Sequence, residues 1–206
     1  AFKEIGLSPK ETDPKKRYDA VVYALDKAIG RVLTALDKAG AANNTFVFFM
    51  SDNGGYRLNR VGKDVAINDP LRHGGVTCWE GGVRVCAMAR WPGKIKPGRV
   101  SDHPSAFWDF LPTACELAGV KPPDDIDGIS YLPELLGNTE DQKKHEYFYW
   151  IWAIRVGKWK LHPAGKDRYR LYDLEKDIGE KSDLSKEFPE VVKRCSKYFQ
   201  IAKQKK

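Results

Sequence analysis

Thr45-Phe46-Val47-Phe48-Phe49-Met50-Ser51-Asp52-Asn53-Gly54-Gly55 is the stretch whose reading decides the fold. Its apolar and β-branched run predicts a strand buried on both faces, ended abruptly by a polar cluster and two glycines. In an open α/β sheet, ligands gather outside the carboxyl ends of the strands, and Asp52 and Asn53 are delivered to that edge. A carboxylate and an amide oxygen side by side are hard donors suited to Ca²⁺ or Mg²⁺. Asp-Asn-Gly-Gly also has the composition of a plain turn, and the stretch by itself leaves both readings open.

Working outward, Tyr18, Val21, Val22, Leu25, Ile29, Val32, Leu33 and Leu36 recur at spacings of three and four. They predict a long amphipathic helix from Lys16 to Lys38, with Gly40 where a C-terminal cap belongs. Helix, short turn and strand make half of a βαβ crossover, so the preceding strand is expected upstream of Ala1. On the other side, Tyr56 to Thr77 is a long polar loop, and loops of this length are usually functional or disordered. A second buried strand is expected at Val83 to Ala89, followed by a helix over Phe107 to Ala118 whose Pro112 marks its first turn.

Lys121-Pro122-Pro123-Asp124-Asp125 is a stiff linker and divides residues 1–120 from 121–206. Beyond it, Glu146 to Trp152, Ala153 to Leu161 and Arg168 to Leu174 are dense in aromatic and β-branched residues. Such strands fit a half-buried antiparallel sheet, closed by a helix over Pro189 to Ala202. The fold class is therefore α/β, a mostly parallel sheet with flanking helices, plus a small C-terminal α+β subdomain.

Lys and Arg number 35 against 28 Asp and Glu, a formal charge of +7, which favours anionic partners. The basic residues are scattered with no dense block or interleaved aromatics, so a nucleic-acid module is not expected. No apolar run reaches the roughly 18 residues of a membrane span. Cys78, Cys86, Cys115 and Cys195 have neither zinc spacing nor CxxC pairing and read as buried free thiols. Lys203 to Lys206 is the one stretch expected to be disordered.

Several motifs then fall in order. Ser51-Asp52-Asn53-Gly54, Pro70-Leu71-Arg72, Trp79-Glu80-Gly81-Gly82-Val83-Arg84-Val85 and Arg90-Trp91-Pro92-Gly93 resemble the C-terminal half of sulfatases of the arylsulfatase type. Asp109-Phe110-Leu111-Pro112-Thr113, Asp127-Gly128-Ile129-Ser130, the run from Ala153 to Leu161 and Leu171-Tyr172-Asp173-Leu174 extend the resemblance. It implies an alkaline-phosphatase-like fold: residues 1–120 would be the back half of the α/β catalytic domain and 121–206 the small subdomain. The implied reaction is hydrolysis of sulfate esters by a formylglycine nucleophile, assisted by one Ca²⁺ that Asp52 and Asn53 would help to hold. The implied partner is a sulfated small molecule or glycan, in a secreted, periplasmic or lysosomal-type compartment.

The sequence departs from the pattern in two places. The nucleophile motif Cys-x-Pro/Ala-x-Arg is absent from these residues. Cys86-Ala87-Met88-Ala89-Arg90 only imitates it, so Cys86 is read as a small core residue. The N-terminal half of the same protein is expected to supply the missing groups, and the chain alone to turn over no sulfate ester and to bind Ca²⁺ poorly. The loop Leu71-Arg72-His73-Gly74-Gly75-Val76-Thr77 also carries Gly75 where many members have a sulfate-contacting lysine. His73 is the candidate substrate-binding residue in its place, though a structural hydrogen bond is the commoner role for a loop histidine. The missing lysine keeps a non-catalytic binder of sulfated or acidic glycans as the alternative. A phosphoester or phosphonate hydrolase of the same superfold is a third reading, against which the spacing around Trp79-Glu80-Gly81-Gly82 favours the sulfatase resemblance.

The remaining conspicuous residues have structural readings. Arg72 and Glu80 are expected to form a buried ion pair that fixes the loop, and Arg84 and Arg155 to be buried with partners. Trp150, Trp152 and Trp159 fit either a sugar-lined cleft or the packing of a small sheet. His103, His145 and His162 carry no assigned role.

Overall fold

The computed structural model describes residues 1–56 and 65–204. Positions 57–64 of the long loop, and 205–206 of the tail expected to be disordered, lie outside the described residues. The chain divides into two compact units, one formed by Ala1–Val32, Met50–Cys86 and Glu146–Lys206, the other by Leu33–Phe49 and Ala87–His145.

The first helix, α1, runs Pro14–Lys38, started by Asp13, whose carboxylate accepts from the amides of Lys15 and Lys16. Such a side chain at a helix entrance satisfies amides that have no partner within the helix. Gly40 takes φ 66 just past its end, the left-handed cap expected there. The apolar stripe is present, but Ala20 is its one buried residue, and Val21, Leu25 and Val32 are half or more exposed.

Strands β1 (Val47–Met50) and β2 (Ala87–Arg90) pair as a two-stranded sheet. Burial on both faces was the expectation for each, and the structure corrects it. All four β1 residues are only half-buried, and Ala87 and Met88 of β2 are exposed, because a two-stranded ribbon cannot shield its own faces. The second strand is also shorter than expected. Glu80–Val83 winds into a single helical turn, α2, so Val83 belongs to a helix and Cys86, expected in the core, is exposed. All four cysteines are free, with Cys195 alone buried.

In the second unit, Phe48 packs on Phe110 and Tyr131 at ring separations of 5.7 and 5.6 Å. Helix α3 (Phe110–Leu117) is entered through Asp109, one oxygen of which accepts from the Ala106 amide while the other accepts from the Ile129 amide. His145 closes on the same carboxylate at 2.7 Å. These bonds give Asp109 and His145 structural work, tying the Asp127-Gly128-Ile129-Ser130 turn to the helix. A short helix, α4 (Leu132–Leu136), follows.

The C-terminal sheet is an antiparallel meander of β3 (Phe148–Trp150), β4 (Ala153–Val156), β5 (Trp159–Pro163) and β6 (Tyr169–Asp173). The stretch from Ala153 to Leu161 is thus a hairpin rather than one strand, turning at Gly157 with φ 57. Helix α5 (Pro189–Gln204) covers one face, burying Ile154, Leu161 and Leu171 against Cys195 and Phe199. Trp159 packs against this core while Trp152 stands exposed at the β3–β4 turn. Strand residues alternate faces, so Lys160, His162 and Tyr172 lie on the opposite face, and they too are buried.

Leu161→Ala is expected to lower unfolding free energy by about 2–5 kcal/mol, the usual cost of emptying a packed core site. Trp152→Ala should change it by about 0.5 kcal/mol or less. Urea titrations giving equal losses for the two would contradict this placement of the core.

Candidate active site

The turn after β1 is held by its own side chains. Asp52 Oδ1 accepts from both the backbone N–H and the Nδ2 of Asn53, each at 2.9 Å, and Ser51 Oγ donates to the Asn53 carbonyl. With Nδ2 committed to Asp52, Asn53 Oδ1 is engaged by no hydrogen bond among the described residues. The two side chains therefore present a carboxylate and an amide oxygen at the strand's carboxyl end.

Around this turn wraps the segment from Asn68 to Gly82. Asn68 bridges the two: its Oδ1 accepts from the Gly55 amide, and its Nδ2 donates to the carbonyls of Gly55 and His73. The Gly54 amide donates to Gly82 O and the Gly75 amide to Gly55 O. These backbones meet so closely that a Cβ on Gly54 would fall on the Gly81 carbonyl. The glycines of Trp79-Glu80-Gly81-Gly82 thus serve close approach. At Gly75 a Cβ would stand 2.8 Å from Gly54 O and 3.1 Å from Asn53 Oδ1. The position where a lysine was anticipated by resemblance is pressed against the Asn53 side chain.

His73 takes φ 57 and is exposed, a backbone region that few non-glycine residues occupy. Its ring lies 5.9 Å from that of Trp79. With Asp69, Arg72, Glu180 and Lys181 it lines a cavity of about 410 Å³, within the size range of small-molecule sites.

Beneath the loop lies a buried charge network that sequence reasoning missed. Lys160 on β5 is wholly buried, its Nζ 2.7 Å from Glu80 Oε1 and 3.3 Å from Glu180 Oε1. Glu180 Oε2 accepts from the Glu80 backbone N–H at 2.7 Å, and its Oε1 lies 3.0 Å from His162 Nε2. The expected Arg72–Glu80 ion pair does not form. Arg72 instead donates to the Glu180 carbonyl at 2.7 Å and lies over the Trp79 ring at 3.8 Å. Glu80 is taken by Lys160 and by Arg84 Nε at 2.8 Å, because β5 delivers an ammonium from below. Trp79 in turn stacks on His162 at 4.0 Å. Arg84 thus has its expected partner yet is exposed, and half-buried Arg155 donates to the Gly157 carbonyl.

Burial pushes the Glu80 carboxyl up, but Lys160 and Arg84 outweigh it and hold the group below its ordinary 4.5. Burial pushes His162 below its ordinary 6.5 despite the Glu180 hydrogen bond. The one available signal was alternation: Lys160 and His162 flank Leu161 inside a strand, so one face of β5 had to bury an ammonium and an imidazole. Glu180 belongs to none of the motifs and gave no signal.

Among the described residues, no group of three or more His, Cys, Asp or Glu gathers to hold a metal. The donor chemistry of Asp52 and Asn53 suits a hard cation, and they supply two oxygens of the roughly six to eight that Ca²⁺ takes.

Comparison with known proteins places the chain in a family. Residues 7–120 match the family model Sulfatase, and 76–205 match N-sulphoglucosamine sulphohydrolase, C-terminal. Over 158 residues the chain is 38% identical to N-acetylgalactosamine-6-sulfatase of Rattus norvegicus, covering 73% of this chain and 29% of that protein. It is 35% identical to arylsulfatase A of Homo sapiens over 212 residues, 87% of this chain and 41% of that protein. The chain thus spans well under half the length of these relatives. The crystal structure of Ps i-CgsB in complex with k-i-k-neocarrahexaose superposes with a TM-score of 0.80 at 28% identity, covering 95% of this chain and 44% of that one.

Two outcomes are expected here. Gly75→Ala should destabilise the protein by about 1–3 kcal/mol, the usual range for overpacking, and shift the Asn53 side-chain amide resonances; unchanged resonances would contradict the close approach. Since His162 prefers to stay neutral when folded, the unfolded chain binds the extra proton first. Stability should therefore fall as pH drops below about 6.5, the ordinary histidine value. Loss through Glu80 follows only below its ordinary 4.5. His162→Gln should flatten the first limb in urea midpoints measured from pH 7 to 5, and an unaltered slope would exclude His162 as its source.

Proposed function

The chain belongs to the sulfatase family, with the α/β alkaline-phosphatase-like fold of its structural relatives, and on that premise we propose that it forms part of a sulfuric ester hydrolase. One observation carries the reading: the Asp52–Asn53 pair is presented at the carboxyl end of β1 and locked there by the segment from Asn68 to Gly82.

In this reading Asp52 and Asn53 ligate one divalent cation, Ca²⁺, which when bound polarises the sulfate oxygens. Asn53 Nδ2 and the Asn53 amide orient the Asp52 carboxylate. The absence of a side chain at Gly75 leaves room for the Asn53 oxygen, which a Cβ there would crowd. His73 contacts the substrate at the cavity it shares with Asp69 and Lys181. The cavity takes the sulfated sugar or small molecule. That reading is supported by the hexosamine in the name of the rat relative and the oligosaccharide bound to the superposing structure.

No residue of the chain stands in a Cys-x-Pro/Ala-x-Arg motif, so its own groups bind and orient while the nucleophile comes from the N-terminal half of the same protein. A second reading, a non-catalytic binder of sulfated or acidic glycans, is favoured by Gly75, which offers no ammonium to the anion.

In the protein that carries this chain, Asp52→Ala or Asn53→Ala should each cut kcat/KM for an aryl sulfate on the order of 10²-fold or more. Chelation should do the same, and added Ca²⁺ should restore it. Full turnover after chelation would refute cation ligation by the pair. Binding of a sulfated oligosaccharide with no sulfate release would favour the second reading, and sulfate release by the isolated 206-residue chain would refute the division of labour.

A further inference from the structure

We infer that Lys160 and Glu180 are positioning residues for the Asp52–Asn53 pair, acting through Glu80 across a wholly buried contact. The relevance of this contact to catalysis rests on the reading of the pair as cation ligands; the mechanical coupling does not.

The coupling runs through three layers of contact. At the bottom, the β5 ammonium of Lys160 bridges the carboxylates of Glu80 and Glu180 at 2.7 and 3.3 Å. Lys160 and Glu180 are 0% exposed and Glu80 is 2% exposed, so water cannot substitute for a lost partner. In the middle, the Glu80 backbone is pinned independently by its N–H to Glu180 Oε2. Arg72 is fixed on the Glu180 carbonyl and the Trp79 face. Glu80 opens α2, and the Gly81 amide donates to Arg72 O at 2.9 Å, so both ends of the segment 72–81 are fastened to the same buried acid. At the top, Gly82 O accepts from Gly54, and Gly55 O accepts from Gly75. The turn bearing Asp52 and Asn53 is closed by its own side chains, and it is seated against a loop anchored by Lys160 and Glu180.

A merely structural Lys160 would weaken the whole unit evenly, whereas a positioning Lys160 loosens the turn first. Amide hydrogen exchange on the 206-residue chain separates the two. Gly54, Gly75 and Gly81 report on the turn and its loop, and Leu174 and Leu184, which donate to Lys158 O and Leu171 O, report on the sheet. In Lys160→Met, exchange at the three glycines should rise at least about tenfold more than at the two leucines. Glu180→Gln should act in the same direction, more weakly. Glu80→Gln combined with Lys160→Met, which removes one charge of each sign, should recover part of the protection.

Equal acceleration at all five amides, or none, overturns the proposal. If Lys160→Met does not fold, the double variant carries the test: regained folding supports the coupling, and failure of both alike overturns it. In the protein that carries this chain, Lys160→Met should also raise the Ca²⁺ concentration needed for half-maximal aryl sulfate turnover. Loosened glycines with an unchanged Ca²⁺ requirement would confirm the coupling and refute cation ligation by Asp52 and Asn53.

Discussion

The structure of the site depends on one ammonium group placed between two carboxylates where no water reaches. Removing charges from water is costly, and a buried pair holds only when geometry and further hydrogen bonds satisfy every partner. Here they do: Glu80 is met by Lys160 and Arg84, and Glu180 by Lys160, His162 and the Glu80 amide. Such an arrangement is a weak source of net stability and a strong source of specificity, because any other register of the loop on the sheet would strand a charge. The C-terminal meander thereby becomes more than an appendage with its own core. One face packs on α5 through Ile154, Leu161 and Leu171; the other sets the position of a loop that lies about eighty residues earlier in the chain.

Close backbone approach does the rest. The turn after β1 and the segment from Asn68 to Gly82 meet at carbonyl-to-glycine contacts, which side chains would abolish. Backbone hydrogen bonds join the two, from the Gly54 amide to Gly82 O and from the Gly75 amide to Gly55 O, so the turn is linked to α2 through the main chain. The overlap of the two family matches, residues 76–120, includes the Trp79-Glu80-Gly81-Gly82 segment where strand-end chemistry and C-terminal sheet are joined.

Much of this was legible in the residues. Spacing alone located α1 and α5, the β1 strand, the aromatic meander and the Asp52–Asn53 turn, since each rests on local periodicity or on turn chemistry. The misses share a cause, dependence on partners distant in sequence. Val83 and Cys86 look like strand core locally, yet α2 forms because its backbone docks on Arg72 and Gly54. Arg72 was paired with Glu80 because the two carry opposite charge nearby, and nothing in the sequence announced that Trp79 and Glu180 would claim the guanidinium. His162 looked idle because its role, a neutral ring stacked on Trp79 and hydrogen-bonded to Glu180, exists only after β5 and the loop have met.

The same commitments narrow what can face an anion. Arg72 is the obvious cation of the loop, but its guanidinium is spent on a carbonyl and an indole face, and moving it would unseat Trp79. Gly75 cannot carry a charge, and a side chain at its position would crowd the Asn53 oxygen. Among the described residues, what remains around the cavity is the exposed pair His73 and Lys181, together with Asp69. The groups left to meet an anion at this mouth are therefore an imidazole and one ammonium, since the guanidinium is already committed.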